Sequence, residues 1–188
     1  MAHNLNYNER TGKYSFFSVQ QKAWHNLGQI VEQYPTSAEA IKYAGLDFEV
    51  VKSPLYTRGT GISISDDGEI KEGGNILLPD NFATMRTDTN TVFGVVGKDY
   101  QIVQNADAFA FFDAIVGGDD GILYETAGAL GNGERIFITA KLPDYIRVGN
   151  GDDITEKYIF LTTSHDGSGS ITAAFTPIRI VCQNTLNA

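Results

Sequence analysis

The sequence predicts an α+β protein, mainly antiparallel sheet with one buried central helix and an N-terminal helical arm. Three observations carry this. Apolar residues recur with period two from residue 48 onward, Asn105–Val116 is the one long helical stripe, and the chain after residue 122 reads as four strand-like runs separated by glycine-rich turns.

Along the chain, the amphipathic stretch Ser18–Val31 reads as a short helix or ordered arm, with Trp24 as the anchor that pins it to the core. Thr36-Ser37-Ala38-Glu39 has capping-box spacing, Ala40, Ile41 and Ala44 continue a helical stripe, and Gly45 is its stop. Phe48, Val50 and Val51 open a strand. Ile62 and Ile64 alternate with serines before Asp67-Gly68 turns the chain toward Ile70, a hairpin signal. No element is assigned to residues 75–86. Thr91–Val96 reads as a buried strand.

Asn105 is a good N-cap for the helix 106–116, which Phe109, Phe112 and Val116 on one stripe and Ala108, Phe111 and Ile115 on another make apolar nearly all round. Such a helix is expected to be sandwiched in the core and stopped by Gly117-Gly118. Ile122–Leu130 and Glu134–Leu142 flank Gly131-Asn132-Gly133, and Lys157–His165 and Ser170–Cys182 flank Asp166-Gly167-Ser168-Gly169, giving a four-strand meander covered on one face. Pro177 interrupts the last strand. Residues 1–47 form an arm and helix packed on a core domain of residues 48–188, and the stop at Asn184-Thr185-Leu186-Asn187-Ala188 reads as a cut inside a longer protein.

Composition excludes several classes. With 188 residues, 42% apolar, the chain is long enough to bury about 70% of its unfolded surface. Cys182 is the only cysteine, so no disulfide forms within the chain. No apolar run reaches the about 18 residues of a membrane span and the N-terminus lacks a secretory h-region, which makes the cytosol the expected location. The net charge of −9 is uneven: residues 1–60 carry six Lys/Arg and five Asp/Glu, residues 61–188 carry eight against eighteen. Much of the excess lies in Asp66-Asp67-Gly68, Asp119-Asp120-Gly121 and Gly151-Asp152-Asp153, which read as turns rather than calcium loops.

Chemistry is sparse. His3, His25 and His165 have no second ligand at metal spacing, so no metal or cofactor is expected. Cys182 reads as a buried inert thiol beside inward-facing Ile178 and Ile180. Ser164-His165-Asp166-Gly167-Ser168-Gly169 is dense in hydrogen-bonding groups but too local for a catalytic triad. A structural turn and a ligand-binding turn both fit it; as a ligand site it comprises His165, Asp166 and Ser168 with Lys98, Asp99, Tyr100, Arg179 and Asn184. In Glu134–Leu142 the residues Arg135, Phe137, Thr139 and Lys141 share one strand face, joined by Tyr158, Phe160 or Arg179. That basic and aromatic set fits either a solvated face or a surface for single-stranded nucleic acid.

Several segments together carry a resemblance. Trp24-His25-Asn26-Leu27-Gly28, Ala44-Gly45-Leu46-Asp47-Phe48, Val95-Val96-Gly97-Lys98-Asp99-Tyr100 with Val103-Gln104-Asn105, Glu125-Thr126-Ala127-Gly128-Ala129-Leu130, Thr163–Gly169, and Thr176-Pro177-Ile178-Arg179-Ile180-Val181-Cys182-Gln183-Asn184-Thr185-Leu186 resemble the phage/plasmid-like protein family, domain of unknown function 932, from about residue 15 to the end. The resemblance implies a mobile-element setting in a bacterial host, hence the bacterial cytoplasm, and a longer chain with a helical C-terminal part, and it supplies no activity. The expected function is a non-enzymatic module binding single-stranded nucleic acid or a replication or recombination partner. The alternatives are an enzyme or small-ligand domain at the His165–Gly169 turn, and a phage structural or assembly protein.

Overall fold

The computed structural model describes residues 3–64, 66–116, 123–147 and 154–187. The turns expected at Asp119-Asp120-Gly121 and Gly151-Asp152-Asp153, and the Gly117-Gly118 helix stop, lie outside the described residues. In chain order the elements are β1 (Tyr7–Asn8), β2 (Lys13–Tyr14), β3 (Phe16–Val19), β4 (Gln29–Val31), α1 (Ser37–Tyr43), β5 (Val50–Arg58), β6 (Ile62–Ile64), β7 (Ile70–Glu72), β8 (Asn75–Arg86), β9 (Val92–Gly97), α2 (Asn105–Val116), β10 (Leu123–Leu130), β11 (Arg135–Arg147), β12 (Ile154–Ser164), β13 (Thr172–Thr176) and α3 (Gln183–Leu186). This is the α+β, mainly antiparallel architecture the sequence predicts. Among the described residues no helix is long and apolar enough to cross a membrane.

The main sheet has six strands in the order β13-β12-β11-β10-β3-β4, antiparallel except for the parallel pair β3–β4. The meander β10 to β13 is the part foreseen from its turns. The β3–β4 pair replaces the helix expected at Ser18–Val31. Phe16, Phe17 and Val19 are all buried, a continuous apolar run that suits a strand covered on both faces rather than a helix with one wet side. A second sheet has the order β5-β8-β9, and the β6–β7 hairpin foreseen at Asp67-Gly68 is a separate two-stranded sheet. Strand β8 escapes the sequence reading because Pro79-Asp80-Asn81 resembles a turn; Pro54 pairs with Phe82 and Leu55 with Leu78, so those three residues bulge from the β5 ladder, while Asn81 still pairs with Gly97 of β9.

Helix α1 follows its signals closely. Glu39 N–H donates to Thr36 Oγ1 (3.4 Å) and Thr36 N–H to Glu39 Oε2 (2.9 Å), closing the capping box. At the other end Gly45 N–H donates to Lys42 O and Leu46 N–H to Ile41 O, the Schellman pattern, with Gly45 at φ +64°. Helix α2 starts where expected, but the Asn105 amide turns inward instead of capping it. The helix buries Ala108, Phe109 and Phe112 while Phe111 (46%) and Ile115 (45%) stay exposed, so it covers the sheet from one side and is not sandwiched.

The six-stranded sheet is covered on both faces, not one. Along β11, Ile136, Ile138 and Ala140 join the core under α1 and α2, while Phe137 joins a second core with Leu5, Phe16, Ala23, Leu130, Ile180, Val181 and Cys182. The second cover is the N-terminal segment and residues 177–182, which leave the sheet when β13 ends at Thr176, ahead of Pro177. Cys182 is buried as expected, whereas Ile178 is 38% exposed. Strand β9 is not the buried strand expected: it is an outer strand of the small sheet, with Val92 and Val95 more than half exposed.

Candidate functional site

The residues expected around the His165 turn separate. His165 is fully buried, its Nε2–H donating to Asn105 Oδ1 at 2.8 Å while Asn105 Nδ2 donates to Leu46 O at 2.9 Å. The ring stacks on Phe93 (5.9 Å, 18°) and meets Phe48 edge-on, and the Arg86 guanidinium lies over the Phe48 ring, 3.8 Å from its centroid. Burial first, then the Arg86 charge, pushes the imidazole down to about 4 against an opposing pull from Asp166, so it is neutral at pH 7. Tyr100 reaches the same end of the sheet and donates from its hydroxyl to Ser164 O at 2.9 Å. Lys98 and Asp99 are exposed, Lys98 lying 3.5 Å from Asp80. Asp166 accepts from Ser168 N–H at 2.9 Å; burial alone would raise its carboxyl, but the Ser168 and Ser164 hydrogen bonds outweigh that and hold it low. Asn184 is exposed on α3, and Arg179 lies elsewhere.

The face expected for nucleic acid is covered. Phe137 and Thr139 are fully buried, because the segment 177–182 and the N-terminal residues cross that side of the sheet. Arg135 borders a hollow of about 390 Å³ with Ser164 and Leu186, apart from Lys141. Phe137 therefore cannot stack on a base.

Instead the structure unites Lys141 and Arg179, the latter counted from sequence both with the Lys141 face and with the ligand site. Arg179 donates to Ser18 Oγ and Val19 O, and its Nε lies 3.0 Å from the buried Glu125 carboxylate with the N–H pointing off the oxygen. Burial raises the Glu125 carboxyl despite Arg179 and a hydrogen bond from Tyr34. Beside it Lys141 pairs with Glu156, which also accepts from Tyr158. Each charge has a partner, so the cluster locks residues 177–182 to the sheet; Thr126 Oγ1 to Ile180 O and His25 Nε2 to Val181 O (3.1 Å) complete that strap. No sequence spacing pointed to Glu125 or Tyr34.

The open site is elsewhere, around the β1–β2 hairpin. A groove of about 870 Å³ runs between this hairpin, the Asn26–Gln29 turn and the end of α1, with Arg10, Lys13, Lys42, Tyr14 and Tyr43 on its walls. Two smaller hollows share its residues, one through Arg10 and Asp88, the other through Tyr14 and Leu27. The acids on the groove are Asp47 and Asp88. Asp88 is held by Arg86 in a bidentate pair (2.7 and 2.8 Å); burial would raise its carboxyl, but that pair holds it below the ordinary range. Three cations therefore face one unneutralised carboxylate, and among the described residues Lys13 and Lys42 have no ion-pair partner. The glycines are dictated by closeness: a Cβ on Gly28 (φ +80°) would sit 2.5 Å from Phe16 O.

Trp24, next to this turn, is 61% exposed and is not the expected anchor. His25 does the pinning: Nδ1 accepts from Leu27 N–H at 3.0 Å while Nε2 donates to Val181 O, and burial holds the ring below its ordinary value and neutral. The Trp24 ring is steadied edge-on by His3 (4.5 Å) and His25 (5.5 Å), leaving much of the indole in solvent. The sequence signal was there in Trp24-His25, but exposure is not legible from spacing.

A family model described as Domain of unknown function (DUF932) matches residues 92–188, from β9 through the meander to α3. No curated protein matches the chain, and no solved structure does. The groove residues precede the matched region.

Proposed function

Since the chain belongs to the DUF932 family, whose description carries no activity, we propose from its geometry that it is a non-enzymatic module that binds single-stranded nucleic acid along the β1–β2 groove. The observation that carries this is the groove itself: Arg10, Lys13 and Lys42 face an open channel against Asp47 alone, in a chain of net charge −9. A polyphosphate backbone gains from such a channel by releasing its condensed counterions. Exposed Trp24, with Tyr14 and Tyr43, adds the flat apolar surfaces on which bases of any sequence stack. The resemblance to phage and plasmid proteins supports a mobile-element setting in a bacterial cytoplasm, with a replication or recombination protein as a further partner. The ligand reading of the His165–Gly169 turn has less support, because His165, Asp166 and Ser168 are spent on Asn105 and on one another.

Trp24 is the only tryptophan, which makes it the reporter. Titration with oligo(dT) at low salt is expected to quench its fluorescence, with a log–log salt slope near −2 for three cations at about 0.7 each. Lys13→Ala with Lys42→Ala should bring that slope to about −0.7. No quenching at low salt, or a slope unchanged in the double variant, defeats the proposal.

A further inference from the structure

Strand β13 forms one edge of the main sheet, pairing with β12 on one side only. Its sequence, with flanks, is Ser170-Ile171-Thr172-Ala173-Ala174-Phe175-Thr176-Pro177-Ile178, without a charge. Sheet edges in monomeric proteins are normally blunted by charges, by bulges or by a covering element, because their free N–H and C=O groups recruit other strands. Here the only such device is Pro177, after the strand has ended. Phe175 is 76% exposed, the highest exposure among the large apolar side chains of the described residues.

Its register with β12 places Phe175 opposite Ile159 and Ala173 opposite Leu161, both members of the core under α2. Phe175 and Ala173 therefore lie on the helix-covered face, the same side as the exposed Phe111 and Ile115 of α2. These residues, one turn apart on the helix, and the edge phenylalanine are unpartnered apolar surface on one side of one edge.

We propose that this edge is the contact between two copies of the chain, with β13 pairing antiparallel to β13 of its partner about a two-fold axis through Ala174. Three observations select a second copy as the occupant. The edge carries no charge, so self-pairing brings no like charges together, although the chain as a whole is strongly acidic. The sequence is complementary to its own reverse: centring on Ala174 sets Phe175 opposite Ala173 of the partner, a large residue beside a small one, and Thr172 opposite Thr176, a hydroxyl pair. A two-fold axis perpendicular to the sheet keeps both α2 helices on the same side, where they flank the seam and shelter both Phe175 rings. The helix flank matters because a specific dimer buries about 1,200 Å² or more, and a strand of five residues is a narrow strip. The contact is isologous and closes at two copies. It lies within the family-matched residues and does not depend on the groove.

Sedimentation equilibrium of the 188-residue chain is expected to give twice 20.5 kDa at micromolar concentration. Phe175→Glu alone and Ala173→Lys alone should each give 20.5 kDa, with unchanged far-ultraviolet circular dichroism because both side chains are exposed. The double variant should regain the dimer, since the register sets the two new charges opposite each other across the axis. A monomeric wild-type chain, a dimer that survives either single substitution, or a double variant that stays monomeric overturns the proposal.

Discussion

Stability should fall with acid in a way that His165 dominates and that its replacement removes. In the unfolded chain this imidazole titrates near 6.5, and in the fold burial pushes it down to about 4. The unfolded state therefore binds a proton before the native state does, so the contribution is fully present above pH 6.5 and lost as pH falls toward 4. At about 1.4 kcal/mol per pH unit over that window, His165 alone removes roughly 3 kcal/mol. His165→Gln keeps an N–H donor for Asn105 but has no titration, and it gives up the stack on Phe93. Urea midpoints measured between about pH 7 and pH 4 should show His165→Gln about 2 kcal/mol less stable at neutral pH, with a shallower pH dependence. The two curves should cross at about pH 5, where the His165 loss equals the offset of about 2 kcal/mol, because the carboxylates common to both proteins cancel in the difference. Parallel curves would refute the reasoning, as would a nuclear magnetic resonance titration in which His165 protonates near 6.5 with the fold intact.

Thr36→Ala removes the hydroxyl that accepts from Glu39 N–H and should cost about 1 kcal/mol in a thermal melt, with the α1 amides the first to exchange. Gly28→Ala should cost well over 2 kcal/mol by urea unfolding, since strain at φ +80° adds to a Cβ 2.5 Å from Phe16 O; Gly68→Ala, at φ +83° with no atom within 4 Å, should cost only the about 1 kcal/mol of backbone strain. Phe137→Ala should destabilise by about 3–5 kcal/mol, the cost of emptying a core position, whereas a surface stacking residue would change stability by under about 0.5 kcal/mol.

Local signals were decisive wherever the chemistry is local. The capping box at Thr36 and Glu39, the Gly45 stop, the Asp67-Gly68 hairpin and the glycine turns of the meander each depend on residues within four or five positions, and the structure repeats them. Failure came where a competing local signal masked a longer pattern: Pro79-Asp80-Asn81 mimics a turn inside β8, and Phe16-Phe17-Ser18-Val19 carries no alternation because both of its sides are buried.

The sequence by itself determined the α+β class, the helix α1 with its caps, the antiparallel meander and the absence of a disulfide, because these follow from periodicity, capping, turn geometry and a single cysteine. Only the tertiary structure decided which side of each strand meets water. Alternation sorts Phe137 and Ile136 onto opposite faces but cannot tell that residues 177–182 return across the Phe137 face, tied there by Arg179 to Ser18 across 161 positions of chain. The same return brings Lys141 and Arg179 together and spends their charges on Glu156 and Glu125, leaving the cations of the N-terminal segment to face the open groove. Burial is a property of what arrives from far along the chain, so an exposed Trp24 and a buried Phe137 look alike in the sequence and differ only once the chain has folded over itself.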